Sequence, residues 1–226
     1  MIVSHKKKFA CICIPKTGTE TINSALNLFS DAERNNSAQS ETYIHSTANN
    51  TRAFFKKNKW DWNDYFKFTF TRNPFDMEVS QYFYIQRRVD EFNTLTEEQQ
   101  NSLPTSDQNS IFFYKKWYKK TFKQWVARPK SVFNLNLSSY ICDKEGNNLL
   151  NFLGKFENLQ EDFNTVCDKI GIPQQKLPHK NKSKHKHYTE YYEAQGADIA
   201  LAKSTREIVA EKYAKDIEYF GYKFEE

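Results

Sequence analysis

A chain of 226 residues with 38% apolar side chains, among them 19 Phe, 13 Tyr and 4 Trp, can bury one sizeable core and reads as a single domain over 1–226. Its net charge of +5 is too mild for a nucleic-acid coat and points instead to an anionic ligand. No run of about 18 apolar residues is present, so no membrane span is expected, and the four cysteines lack zinc-site spacing. The polar stretch Met1 to Lys8 is too short for a secretory leader, so a cytoplasmic protein with free thiols is expected.

Taken in order, the continuous apolar run from Phe9 to Ile14 predicts a central parallel strand, and the chain reads as beginning at this first core strand. Thr19 to Phe29 places Ile22, Ala25, Leu26 and Phe29 at helical spacing, and 46–57 reads as a second helix ending in lysines. Phe66 to Thr71 is the next strand. Pro74 sits where a first helical position belongs, and that helix is expected to run to Val89. The polar segment 91–110 reads as a mobile insertion. Ile111 to Val126 reads as one amphipathic helix with an aromatic stripe and five lysines. A hairpin is expected across Asp143 to Asn148, a third strand over Phe152 to Phe156, and a helix over Asn158 to Ile170 stopped by Gly171. Residues 176–188 form a basic loop, and a last helix spans 197–215. Strands alternating with helices define an α/β fold with a mostly parallel sheet, whose ligand loops gather at the carboxyl ends of the strands.

Two of those strand ends carry anion-binding chemistry. Pro15-Lys16-Thr17-Gly18-Thr19 is a strand-to-helix turn with a cation, where helix N-terminal N–H groups attract negative charge. The full phosphate-loop pattern GxxxxGK[ST] is absent, which disfavours an ordinary ATP or GTP site. The same turn also reads as a plain connection with an exposed lysine. Arg72-Asn73-Pro74 repeats the arrangement on the second strand: an arginine can meet a phosphate bidentately, and Ser80, about two turns into the helix, can add a hydroxyl. A surface salt bridge with a solvated serine is the competing reading. Two such sites in one small domain suggest a ligand with two separate phosphate clusters.

On these motifs the chain resembles the sulfotransferases that use 3′-phosphoadenosine 5′-phosphosulfate, and within them the branch that modifies carbohydrates. Pro15 to Thr19 resembles that family's 5′-phosphosulfate loop, and Arg72 to Asp76 with Ser80, Tyr82 and Tyr84 its 3′-phosphate motif. Gly154 to Phe163, Leu177 to Ser183 and Asp216 to Tyr222 match in type and order. The resemblance implies a three-layer, phosphate-loop-like fold with helices flanking the sheet. It implies that Lys16 neutralises the 5′-phosphosulfate, that Thr17, Gly18, Thr19 and Thr21 cradle it, and that Arg72 and Ser80 hold the 3′-phosphate. Asn181, Lys182, Ser183 and Lys184 are the basic-loop residues placed to touch the nucleotide; a solvated loop is the plain alternative. The product would be 3′-phosphoadenosine 5′-phosphate, with no metal required.

The acceptor must lose a proton, and histidine is tuned for that near neutral pH. His45, just before the second helix, resembles the loop-borne base of several carbohydrate sulfotransferases; a helix-flanking histidine without a partner is the other reading. Glu20 departs from the family, which usually carries Thr or Ser there. A carboxylate repels a phosphosulfate at contact distance, so Glu20 either points away or serves the acceptor, and it is the alternative base. The expected partner is a hydroxyl-bearing acceptor, a carbohydrate, with no nucleic acid. Two rivals stand beside this reading: a kinase-like phosphotransferase, and a degenerate polyanion-binding module kept alive by Glu20 and the basic loop.

Overall fold

The computed structural model describes residues 1–32, 43–129, 132, 135–178, 185–193 and 203–225. Four strands are described: β1 (Ile2–Ser4), β2 (Phe9–Ile12), β3 (Phe66–Thr71) and β4 (Phe152–Lys155). The first helices are α1 (Thr19–Leu26), α2 (Ala48–Lys57), α3 (Pro74–Asn93), α4 (Glu97–Ser102), α5 (Thr105–Lys115) and α6 (Phe122–Val126). They are followed by α7 (Ser138–Ile141), α8 (Leu159–Ile170), α9 (Glu190–Glu193), α10 (Thr205–Lys212) and α11 (Ala214–Phe220). The chain forms two compact units, Met1–Asn73 with Leu135–Lys182, and Pro74–Asn134 with Ser183–Glu226.

The first unit holds the whole sheet. Its strands lie in the order β1-β2-β3-β4, with β2, β3 and β4 parallel and β1 antiparallel to β2. Period-2 alternation sorts the side chains between two covered faces. On one face Phe9, Cys11, Phe68 and Phe70 pack with Ile22 and Leu26 of α1 and Phe163, Val166 and Ile170 of α8. On the other, Val3 and Ala10 pack with Phe55 of α2 and Tyr65. Helix, sheet and helix therefore form three layers within this unit. Burial on both faces is why β2 reads as a continuous apolar run, whereas β3, Phe66 to Thr71, alternates phenylalanine with lysine and threonine. The threonines of β3 keep that burial satisfied by cross-strand bonds, Thr69 Oγ1 donating to the Ile12 carbonyl at 2.6 Å and Thr71 Oγ1 to that of Gly154 at 3.2 Å. Gly154 is required by close approach: a Cβ there would lie 2.6 Å from Phe70 Cδ1.

The sheet begins one strand earlier than the sequence suggests, because β1 is only three residues long and too short to show a period. The expected hairpin reduces to its turn. Ser138–Ile141 is a helical turn, and the Asp143 carboxylate accepts the Glu145 and Asn147 amides below a single Cys142–Asn148 bridge.

The second unit is helical. The segment 91–110 is not an irregular insertion: it holds the end of α3, all of α4 and the start of α5. Polar composition suggested a loop, but Thr96 and Gln99 form a reciprocal capping box that starts α4. The single helix expected over Ile111 to Val126 is two. It breaks after Lys115 at a turn with Lys119 in the left-handed region, and Thr121 with Gln124 caps α6 afresh. The last expected helix is described from Thr205 as α10 and α11, with a break at Tyr213. Its first part, at 197–202, lies outside the described residues.

Candidate active site

The site grows from the carboxyl ends of β2 and β3 in the first unit. Beyond β2 the chain passes through Cys13, Ile14 and Pro15 into a turn where Lys16 has φ +69° and Gly18 φ +85°. Gly18 is needed on two counts. The left-handed backbone favours it, and an added Cβ would lie 3.1 Å from Leu159 and 3.2 Å from the Phe156 ring. The hydroxyls of Thr17 and Thr19 both donate to the Ile14 carbonyl, at 2.9 and 2.8 Å, and staple the turn shut. Thr21 Oγ1 donates to the Pro178 carbonyl at 3.3 Å. Thr17 and Thr19 thus spend their hydroxyl protons on the loop itself and Thr21 on Pro178, which leaves peptide N–H groups at the start of α1, beside Lys16, as the chemistry an anion would meet. Glu20 is exposed in the first turn of α1, where a carboxylate complements the helix dipole.

At the end of β3, Arg72 turns toward this loop. It is 7% exposed, its Nη1 donates to the Lys16 carbonyl at 3.1 Å, and its guanidinium lies 4.1 Å above the centre of the Phe156 ring. The next amide, Asn73 N–H, donates to Glu157 Oε1 at 2.6 Å. The structure therefore brings Lys16, Gly18 and Arg72 together. Phe156 and Glu157, at the corner between β4 and α8, join them and were given no role from sequence. They lie in the Gly154–Phe163 segment that carries part of the resemblance, but only their contacts give them a role.

His45 approaches from the segment preceding α2. Its Nδ1 lies 2.8 Å from the Cys13 carbonyl, which can only accept, so Nδ1 carries the hydrogen and Nε2 the lone pair. Burial, helped by the charge of the Met1 amino group, holds the His45 pKa below its ordinary value, outweighing the Cys13 bond and the Glu20 charge, which raise it. A neutral imidazole with a defined tautomer is thereby fixed to the same strand end that leads into the Lys16 turn. The Met1 amino nitrogen donates to the carbonyls of Tyr43 and Ile44, and the Tyr43 ring meets the imidazole edge-on at 5.5 Å.

Ser80 is buried on α3 in the second unit. Asn181, Lys182, Ser183 and Lys184 lie outside the described residues. Among the described residues no group of three or more His, Cys, Asp or Glu could hold a metal ion, and no helix is long and apolar enough to cross a membrane.

A lysine-bearing turn at a helix start, an arginine from the neighbouring parallel strand bonded to it and a histidine bonded to the strand that leads into it are groups an anion could meet. Comparison with known proteins narrows the class of this α/β protein. The model of the Sulfotransferase family matches residues 1–223, and the chain belongs to that family. Searches of curated proteins and of solved structures returned no significant match. Family membership makes the protein a transferase of sulfuryl groups with a hydroxyl-bearing acceptor, and it favours neither the kinase-like nor the non-catalytic reading.

Proposed function

We propose that the protein transfers a sulfuryl group from 3′-phosphoadenosine 5′-phosphosulfate to a hydroxyl of a sugar or glycan, on a phosphate-loop-like α/β frame. The observation that carries this reading is the 3.1 Å bond from Arg72 Nη1 to the Lys16 carbonyl. It joins the two turns that we read as the 5′- and 3′-phosphate loops, which supports a ligand phosphorylated at both positions. The carbohydrate acceptor rests on the resemblance of the loop motifs and of His45 to that branch.

The donor supplies a sulfuryl group on a phosphate leaving group. His45 Nε2 takes the acceptor proton as the acceptor oxygen bonds to sulfur and the bond from sulfur to the phosphate oxygen breaks. Lys16 and the α1 amides balance the charge left on that phosphate, an electrostatic role that needs little reorganisation in a preformed loop. Arg72 meets the 3′-phosphate. By motif position alone, Ser80 and Asn181 to Lys184 are further donor contacts.

The test is a saccharide acceptor screen with radiolabelled donor, followed by His45→Ala. Turnover is expected to fall at least about 100-fold, the scale of general base catalysis, while calorimetry finds 3′-phosphoadenosine 5′-phosphate still bound. Near-normal turnover in the variant would remove His45 from the mechanism. Label transfer to no hydroxyl would reject the reaction.

A further inference from the structure

One dipeptide touches both anion loops. The Phe156 ring lies under the Arg72 guanidinium at 4.1 Å and against Gly18, where even a Cβ would come within 3.2 Å. Glu157 Oε1 holds the Asn73 amide at 2.6 Å. Leu159, the first residue of α8, closes on Gly18 from the same corner. No other dipeptide among these contacts reaches both the Lys16–Gly18 turn and the Arg72–Asn73 turn. The two loops also meet through the bond from Arg72 Nη1 to the Lys16 carbonyl.

We propose that Phe156 is a positioning residue that fixes the Arg72 guanidinium at a set distance from the Lys16 turn, and so makes the site select a nucleotide phosphorylated at both 3′ and 5′ positions. This inference rests on the donor reading above. A guanidinium has many rotamers, and a flat aromatic face restricts it to the plane in which its fork can meet a phosphate. The restriction is made before the ligand arrives, so the ordering cost does not weaken binding. Glu157 supports the arrangement by holding the backbone of the following residue. A ligand with only a 5′-phosphate would engage the Lys16 turn and gain nothing from this alignment.

The experiment is calorimetry with 3′-phosphoadenosine 5′-phosphate and with adenosine 5′-phosphate, on the wild type, Phe156→Leu, Phe156→Tyr, Arg72→Ala and the Phe156→Leu/Arg72→Ala double variant. Phe156→Leu is expected to weaken the bisphosphate about tenfold, on the scale of a partly desolvated cation–π contact, and the monophosphate less than about threefold. Phe156→Tyr keeps a π face and should retain wild-type discrimination. In the Arg72→Ala background, Phe156→Leu should change the bisphosphate affinity no further, because the coupled partner is gone. Retained monophosphate binding also reports that the fold is intact; if the leucine variant is unfolded, Phe156→Met carries the same expectation. Equal weakening of both ligands, no weakening, or an undiminished effect without Arg72 would overturn the inference while leaving the donor assignment standing. A wild type that binds both nucleotides equally would overturn the donor assignment and this inference with it.

Discussion

At the scale of single residues the proposed chemistry turns on the state of His45. The Cys13 carbonyl dictates its tautomer, and burial, the largest influence, disfavours its charged form. A base works only when neutral, so turnover is lost as pH falls through the His45 pKa. That pKa lies below the ordinary 6.5, so the acid limb of kcat/KM should also lie below 6.5, with a plateau at neutral pH. The negative charge of Glu20 supports the imidazolium, so Glu20→Gln is expected to move the limb to still lower pH. If turnover instead disappears in Glu20→Gln and survives in His45→Ala, the carboxylate is the base. A pH–rate profile of both variants decides. The histidine was legible in the sequence as a candidate. Its tautomer and depressed pKa were not: the first comes from a carbonyl 32 positions away in the chain, the second from burial in the folded protein, which that bond opposes.

At the scale of elements, α3 is secured by one buried carboxylate. Glu78 accepts from Arg128 Nη1 at 2.7 Å, Arg128 Nη2 at 2.9 Å, Lys212 Nζ at 2.9 Å, Tyr213 Oη at 2.7 Å and Trp125 Nε1 at 2.8 Å. These donors come from α6, from Arg128 just after it, from the end of α10 and from Tyr213 at the break that follows, so the second unit is fastened at this point. Burial alone would raise the Glu78 pKa, but Arg128 and Lys212 outweigh it and hold the carboxyl below its ordinary value. Glu78→Gln leaves two buried cations without their counter-charge and is expected to cost about 3–5 kcal/mol, measurable by denaturant unfolding. Because the folded pKa is depressed, the stabilisation is full above the unfolded carboxyl value of 4.5 and is lost as pH falls through the lower folded one. A variant as stable as the wild type at neutral pH would show that the cluster fills space and no more. Nothing in the run Pro74-Phe75-Asp76-Met77-Glu78 marks a core carboxylate, since its partners lie 47 to 135 positions on. The helix boundaries around it show the same limit. The capping boxes at Thr96 and Thr121 are local and readable in hindsight, yet composition over the 91–110 window and periodicity over 111–126 outweighed them.

At the scale of the whole molecule, the family match spans residues 1–223 and so runs through both compact units. If the donor assignment holds, 3′-phosphoadenosine 5′-phosphate at 100 times its Kd should stabilise the fold by about 2.7 kcal/mol at 25 °C. The shift should exceed that given by adenosine 5′-phosphate at equal concentration and should be unaffected by EDTA. Thermal unfolding with each nucleotide checks this, and a chelator-sensitive shift would call for a metal in the site. The sequence by itself determined the α/β class, the two strand-to-turn-to-helix segments at Lys16 and Arg72, and the presence of a histidine suited to proton transfer. Each of these is written in residues adjacent in the chain, where period, turn chemistry and capping operate. Only the tertiary structure decided that Arg72 bends onto the Lys16 carbonyl, that Phe156 lies beneath it, and that Cys13 orients His45. Those contacts join residues between 32 and 84 positions apart and exist only once the parallel register of β2, β3 and β4 has brought three strand ends to one edge of the sheet.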